Sequence, residues 1–319
     1  MFAKIKSITE DTPKTKLYEL VGIDDMALPA HTAGAHITIH IRPDSGPEIL
    51  RSYSIINPPS EVGFYRIGVQ REPQSRGGSA YMHDIAGVGD VVEFDGPKNY
   101  FPLATGAQEH LLVAGGIGIT PILSMASHLE TGGATYALHY AARSKESMPL
   151  RRQVMEVCGE HARLWFDDGD STNGMNLQEI LSAWQPGRHV YVCGPVGLIE
   201  SVLDICRKNG WPESDLHFEL FKNPQPAEGV IDPLYIELRR SGLTLEVRTG
   251  ESILEAIVAA GVTADYDCQI GECGTCVTKV LEGKPLHRDY YLSEKERNAG
   301  RCICTCVSWA ETSRLVLDL

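Results

Sequence analysis

The stretch "DYDCQIGECGTC", residues 265–276, sets Cys268, Cys273 and Cys276 at the spacing C-x4-C-x2-C. Three thiols in so short a run, with Gly271 and Gly274 between them, describe a loop wrapped around something, because glycine takes positive φ without cost and lets backbone N–H groups turn inward. The spacing is that of thiolates holding a [2Fe–2S] cluster rather than the C-x2-C pairs of structural zinc. Soft, anionic sulfur suits two ferric ions bridged by sulfide. A fourth thiolate is required. "RCICTCVSWA" offers Cys302, Cys304 and Cys306, and alternation along a strand does not choose among them, since all three would face the same way.

The other cysteines, the charge and the apolar pattern narrow the class. Nine cysteines without a secretion signal point to metal binding or catalysis rather than crosslinks. The start, "MFAKIKSITED", reads as a strand, and no apolar run approaches the roughly 20 residues of a membrane helix, so the chain is expected to be soluble and cytoplasmic, with no membrane contact. A formal net charge of −13 argues against nucleic acid and allows a basic protein partner.

Three patterns follow one another. Residues 1–104 alternate short β-rich runs with turn signals, as in "HITIHIR" and "YRIGVQ", which predicts a small antiparallel barrel. Residues 105–222 alternate apolar strands with helical stretches, "HLLVAGG" before "PILSMASHLE" and "HVYVCGP" before "VGLIESVLDICRKNG", which predicts a parallel α/β sheet covered on both faces. A proline-rich linker over 223–232 leads to a third unit, 233–319. That unit opens on a hairpin, continues in a helix started by Ser252 and Glu255, holds the cysteine loop and closes on "SRLVLDL".

Further motifs carry chemistry of their own. In "RSYS", residues 51–54, Arg51 offers a fork of donors for a phosphate and Tyr53 an aromatic face for a flat ring. "SRGGSAYMHDI" places a glycine pair and Ser79 before a helix, where exposed N–H groups suit a phosphate. "LLVAGGIGITPILSM", residues 111–125, is a strand, a glycine turn and a helix fit for a pyrophosphate, although Pro121 stands where the dinucleotide fingerprint has its third glycine. At the end of the next strand, "LHYAARS" carries Arg143, which suits either NADPH or the diphosphate or adenine of NADH, and no acid for a ribose 2′-hydroxyl; Asp167 and Asp168 are candidates to supply one from the strand after it.

"CGTCVTKVLEGKPLHRDYYLSEKE" followed by "CVSWA", with "RSYS", "RGGS", "GGIGITP" and "YVCGP" at matching places, resembles the phthalate dioxygenase reductase family, which includes vanillate O-demethylase reductases. The resemblance spans nearly the whole chain. It implies a flavin-binding antiparallel barrel, a Rossmann-like nicotinamide domain and a β-grasp plant-type ferredoxin domain. The fourth cluster ligand is then Cys306, in its "CVS" context, with Cys302 and Cys304 as unusual neighbours. FMN is implied to lie against Arg51, Ser52, Tyr53 and Ser54, its phosphate gripped by Arg76, Gly77, Gly78 and Ser79. NADH is implied to meet Gly115, Gly116, Gly118, Thr120, Arg143, Cys193, Gly194 and Pro195, and Phe221 to stack on the flavin. Ser54, Thr120, Cys193 and Glu219 are the candidates to border the reacting rings.

The function so implied is an NADH-dependent reductase passing electrons through FMN and a [2Fe–2S] cluster to a Rieske-type oxygenase, acting as a monomer. A reductase of another acceptor such as a cytochrome P450, or an electron-carrier or regulatory subunit, are the alternatives.

Overall fold

The computed structural model describes residues 1–24, 26–43, 48–73, 75, 77–170, 173–221 and 231–319. The chain divides into two compact units, Met1–Glu219 and Leu220–Leu319. Arg76, Lys222 and residues 223–230 of the expected linker lie outside the described residues.

The first unit begins with β1 (Phe2–Thr12), β2 (Thr15–Gly22), β3 (His36–Ile41), β4 (Ile49–Ser54), β5 (Phe64–Gln70), the short α1 (Gly78–Asp84) and β6 (Val91–Lys98). The six strands pair antiparallel in the order β4-β3-β6-β1-β2-β5, and a bridge between Ile55 and Ile67 joins the two edges, closing the barrel expected from the alternating pattern. Alternation explains the core: along β3, Ile37, Ile39 and Ile41 point inward with Tyr18, Ile67 and Phe94, all essentially excluded from water. Each such side chain contributes about 1.5–3 kcal/mol on burial.

The same unit continues through β7 (Glu109–Gly115), α2 (Ile119–Gly132), β8 (Thr135–Ala142), α3 (Arg151–Cys158), β9 (Ala162–Phe166), α4 (Leu177–Ile180), β10 (Arg188–Cys193), α5 (Val196–Lys208) and β11 (Leu216–Glu219). These strands form an all-parallel sheet in the order β11-β10-β7-β8-β9. Their near-continuous apolar runs fit a sheet covered on both faces.

The barrel and this sheet share one core, in which Leu17, Ala33 and Ile56 pack with Leu112, Ile119 and Ile122. Polar ties reinforce it. The Leu150 N–H donates to Asp11 Oδ2 at 2.7 Å, Ser124 Oγ to the Asn57 carbonyl at 3.1 Å, and the Ala104 N–H to Tyr191 Oη at 2.9 Å.

The second unit holds β12 (Leu234–Leu238), β13 (Leu243–Val247), α6 (Ile253–Ala259), β14 (Val277–Glu282), β15 (Pro285–Leu286), α7 (Glu294–Ala299), β16 (Cys302–Cys304), β17 (Trp309–Ala310) and β18 (Arg314–Leu317). Its main sheet runs β13-β12-β18-β14-β16, with β12 and β18 parallel at the centre. The apolar side of α6, Ile253, Ala256 and Ile257, packs on that sheet. Ser252 and Glu255 form a reciprocal capping box at the helix start, and Ser293 and Glu296 repeat it for α7, so donors left over at both helix ends are satisfied locally.

Candidate functional site

The cysteine loop occupies the chain between α6 and β14. Gly271 at φ 81° and Gly274 at φ 76° make its turns, and neither accepts a side chain. A methyl on Gly271 would lie 2.7 Å from Val307, and one on Gly274 would sit inside the Tyr291 ring. Backbone groups turn to sulfur as expected: the N–H groups of Ile270 and Cys273 point at Cys268 Sγ at 3.5 and 3.4 Å, that of Cys268 at Cys273 Sγ at 3.5 Å, and that of Gly271 at the Cys306 sulfur.

The thiols group as two pairs. Cys268 hydrogen-bonds with Cys273, and Cys276 Sγ lies 3.2 Å from Cys306 Sγ. Hydrogen bonding from neighbouring thiols holds Cys276 and Cys273 below the usual thiol range. Among the described residues no three such donors converge on a single ion. Two adjacent pairs are what a two-iron cluster needs, with two thiolates for each iron, so the donor set fits. Two of the remaining thiols, Cys158 and Cys206, are buried core residues pushed up by burial, to about 11 and about 12, and are inert.

In the barrel, "RSYS" lies on β4. A methyl on Gly78 would fall 2.6 Å from Arg51 Cγ, and one on Gly77, at φ 88°, 2.7 Å from Ile49. The glycine pair is therefore what lets the start of α1 lie flush on the Arg51 side chain, setting a cation beside close-packed backbone. Ser79 braces this turn, accepting from the Glu72 N–H at 3.1 Å and donating to Ser75 at 3.0 Å. Tyr53 packs on the barrel core yet stays partly open, its hydroxyl pushed up by burial, while Ser52 is exposed.

The nicotinamide motifs interlock. A methyl on Gly118 would lie 2.3 Å from the Cys193 carbonyl oxygen, and one on Gly115 2.7 Å from Pro195, so "GGIG" and "CGP" form one surface at the ends of β7 and β10. A methyl on Gly194 would lie 3.0 Å from Gly115. Gly116, at φ 53°, faces open space and its carbonyl accepts from Tyr140 Oη at 3.0 Å. Thr120 is buried and its hydroxyl donates to the Ile117 carbonyl at 3.0 Å, closing the turn. The Cys193 side chain belongs to the core. Arg143 stands beside the two acids proposed to serve a ribose: its carbonyl accepts the Asp168 N–H at 2.9 Å, while Asp167 Oδ1 accepts from the Gly169 N–H.

Barrel and sheet meet at Ser54 and Glu219. The Ser54 hydroxyl, at the end of β4, donates to Glu219 Oε2 at 3.3 Å, at the end of β11. Burial drives the Glu219 pKa up to about 8. His36 Nδ1 lies 4.0 Å from the other carboxyl oxygen. Sequence reasoning missed His36, which carried no motif, and Asn57, whose carbonyl accepts from both His31 and Ser124 and ties the barrel to α2. Phe221, just beyond β11, is 39% exposed.

The comparisons agree with this architecture. Residues 3–102 match the family described as Oxidoreductase FAD-binding domain, residues 236–311 the 2Fe-2S iron-sulfur cluster binding domain, and residues 98–216 the Dimethylamine monooxygenase subunit DmmA-like, N-terminal domain. The fold and its sites define a flavin and iron–sulfur oxidoreductase with a nicotinamide-binding sheet.

Among known proteins, the chain is 40% identical to the phenoxybenzoate dioxygenase subunit beta of Ectopseudomonas oleovorans, over 99% of this chain and 96% of that one. It is 37% identical to the vanillate O-demethylase oxidoreductase of Pseudomonas sp. strain HR199, over 94% of each. The solved structure of phthalate dioxygenase reductase, described as modular for electron transfer from pyridine nucleotides to [2Fe-2S], aligns with a TM-score of 0.79 and 35% identity, over 100% of this chain and 98% of that one. The chain belongs to the phthalate dioxygenase reductase family.

Proposed function

We propose that this chain is the NADH-dependent reductase component of a Rieske-type oxygenase system that hydroxylates or demethylates an aromatic acid, and that it works as a monomer in the cytoplasm. The observation that carries the reading is the meeting of Ser54 and Glu219, one at the end of the flavin-motif strand and the other at the end of the nicotinamide sheet. The names of the relatives, a vanillate demethylase and a phenoxybenzoate dioxygenase component, support an aromatic acid as the partner's substrate. The reading keeps three modules, 1–104, 105–222 and 233–319.

When bound, FMN accepts a hydride from NADH and a [2Fe–2S] cluster carries the electrons onward singly. The chain's own residues bind and orient. Arg51, with Gly77, Gly78 and Ser79, grips one phosphate, which suits a mononucleotide flavin; Arg76 and Ser52 complete this site. Tyr53 covers the flat ring. Gly115, Gly116, Gly118, Thr120, Gly194 and Pro195 give the dinucleotide a close-fitting surface, Arg143 holds its diphosphate or adenine end, and Cys193 backs the nicotinamide. Ser54 and Glu219 border the reacting atoms, and Cys268, Cys273, Cys276 and Cys306 hold the cluster.

The test is anaerobic mixing of the purified protein with NADH, followed by transfer to a purified oxygenase partner. Flavin bleaching, then cluster bleaching, then reduction of the partner's Rieske centre is expected. Cluster reduction without transfer to any Rieske protein, but with rapid reduction of a cytochrome P450, would replace the acceptor.

A further inference from the structure

The proposed cluster ligands come from two stretches, the cysteine loop and the turn at Cys306, which stands 30 residues beyond Cys276. The chain between them carries a carboxylate that reaches both. Asp289 follows β15, and its side chain is wholly excluded from water. Its Oδ2 accepts from the Leu292 N–H at 2.8 Å and its Oδ1 from the Ser308 hydroxyl at 3.2 Å. That hydroxyl accepts in turn from the Arg288 N–H at 3.1 Å, which leaves its one hydrogen for the carboxylate. Arg297, on α7, donates to the Asp289 carbonyl at 2.6 Å and stands 3.8 Å from Oδ2, while His287 Nδ1 lies 3.5 Å from Oδ1. The backbone here rests on the cysteine loop. The Tyr290 N–H donates to the Gly271 carbonyl at 3.0 Å, and a methyl on Gly271 would fall 3.1 Å from Asp289 Cα and 2.7 Å from Val307, the neighbour of Cys306.

We propose that Asp289 is a positioning residue for the iron–sulfur centre: its backbone rests on the loop of Cys268, Cys273 and Cys276 while its carboxylate holds the turn of Cys306, so one residue sets the separation of the two ligand groups. A carboxylate shut away from water needs donors on its oxygens, and a buried network filled in this way admits few other arrangements. Ser308, buried like its partner, then fixes the turn two residues beyond Cys306. Taking away one member strands the others unpaired in dry space, and they must shift to find partners. The shift reaches Gly271 on one side and Val307 on the other. The proposal rests on the reading that Cys268, Cys273, Cys276 and Cys306 are the ligands.

The experiment compares the full-length holoprotein with Asp289→Asn, Ser308→Ala, Ser252→Ala and Cys306→Ala. Iron content, the electron paramagnetic resonance of the chemically reduced protein and the rate of iron release to the chelator bathophenanthroline are measured. Asp289→Asn keeps the shape but turns one oxygen into an amide that cannot accept, and Ser308→Ala removes the hydroxyl alone. Both are expected to bind iron with a shifted, broadened resonance and to release it at least several-fold faster. Ser252→Ala, which weakens the same unit at the remote start of α6, is expected to keep the wild-type resonance. A wild-type resonance and release rate in either network variant overturns the proposal; should Asp289→Asn not fold, Ser308→Ala alone decides. An equal change in Ser252→Ala also overturns it, because lowered stability would then account for the effect. Cys306→Ala is expected to lose the iron, and a full iron content there overturns the ligand reading itself, whatever the network variants do.

Discussion

Burial raises the Glu219 pKa to about 8, so the side chain that meets Ser54 keeps its proton well above the pH at which an ordinary carboxyl releases it. Because the folded pKa lies above that of an unfolded carboxyl, the folded protein holds a proton that the unfolded chain has released. Stability from this group is full below about pH 4.5 and is lost as pH rises to about 8. Glu219→Gln should flatten the decline in melting temperature of the flavin-free protein between pH 5 and pH 9 by the part due to this carboxyl; identical slopes in both proteins would mean that the carboxyl ionises freely. Arg51→Ala should release flavin on desalting and slow NADH oxidation with it, measured as flavin absorbance per chain, since Arg51 is the cation lying on Gly78. Lost activity with a full complement of flavin would give Arg51 another task. "RSYS" and the cysteine spacing made these positions legible, because a phosphate or an iron centre demands particular side chains at fixed intervals. His36 and Asn57 were not legible: one reaches Glu219 and the other α2 only after the barrel has closed and docked on the sheet.

At the level of elements, the junction of "GGIG" with "CGP" has no tolerance for an added methyl. Gly118→Ala, which would place a carbon 2.3 Å from the Cys193 carbonyl, should raise the KM for NADH at least several-fold while bound flavin stays unchanged. Steady-state kinetics beside the flavin spectrum checks it. The capping box of α6 has a gentler role: Ser252→Ala should cost about 1 kcal/mol of stability in the ferredoxin unit, read as earlier loss of cluster absorbance in denaturant. Strand and helix order along the chain was readable from period alone, as the inward isoleucines of β3 show. The closure of the barrel through Ile55 and Ile67 was not, since that bridge depends on how six strands curl and no local pattern encodes it.

For the whole molecule, the division at Glu219 separates two chemistries. A fragment ending at residue 221 should fold, bind flavin and reduce ferricyanide with NADH, yet fail with cytochrome c, because every cluster thiol lies beyond it. Efficient cytochrome c reduction by that fragment would mean that the flavin needs no iron–sulfur outlet. The net charge of −13 implies attraction to a basic partner face, screened over a Debye length of about 8 Å at physiological ionic strength. Turnover with the oxygenase should therefore fall with added salt while NADH oxidation by ferricyanide changes less. The central pairing of β12 with β18 bears on the order of synthesis. Its two strands are the first and last of their unit, so no part of the main sheet has its centre until the chain has been made past Leu317. The flavin unit, with every strand complete by Glu219, can mature while the ribosome is still at work, as N-terminal domains generally do. The sheet beside the cysteine loop is therefore completed last, whereas flavin binding by the first unit does not have to wait for it.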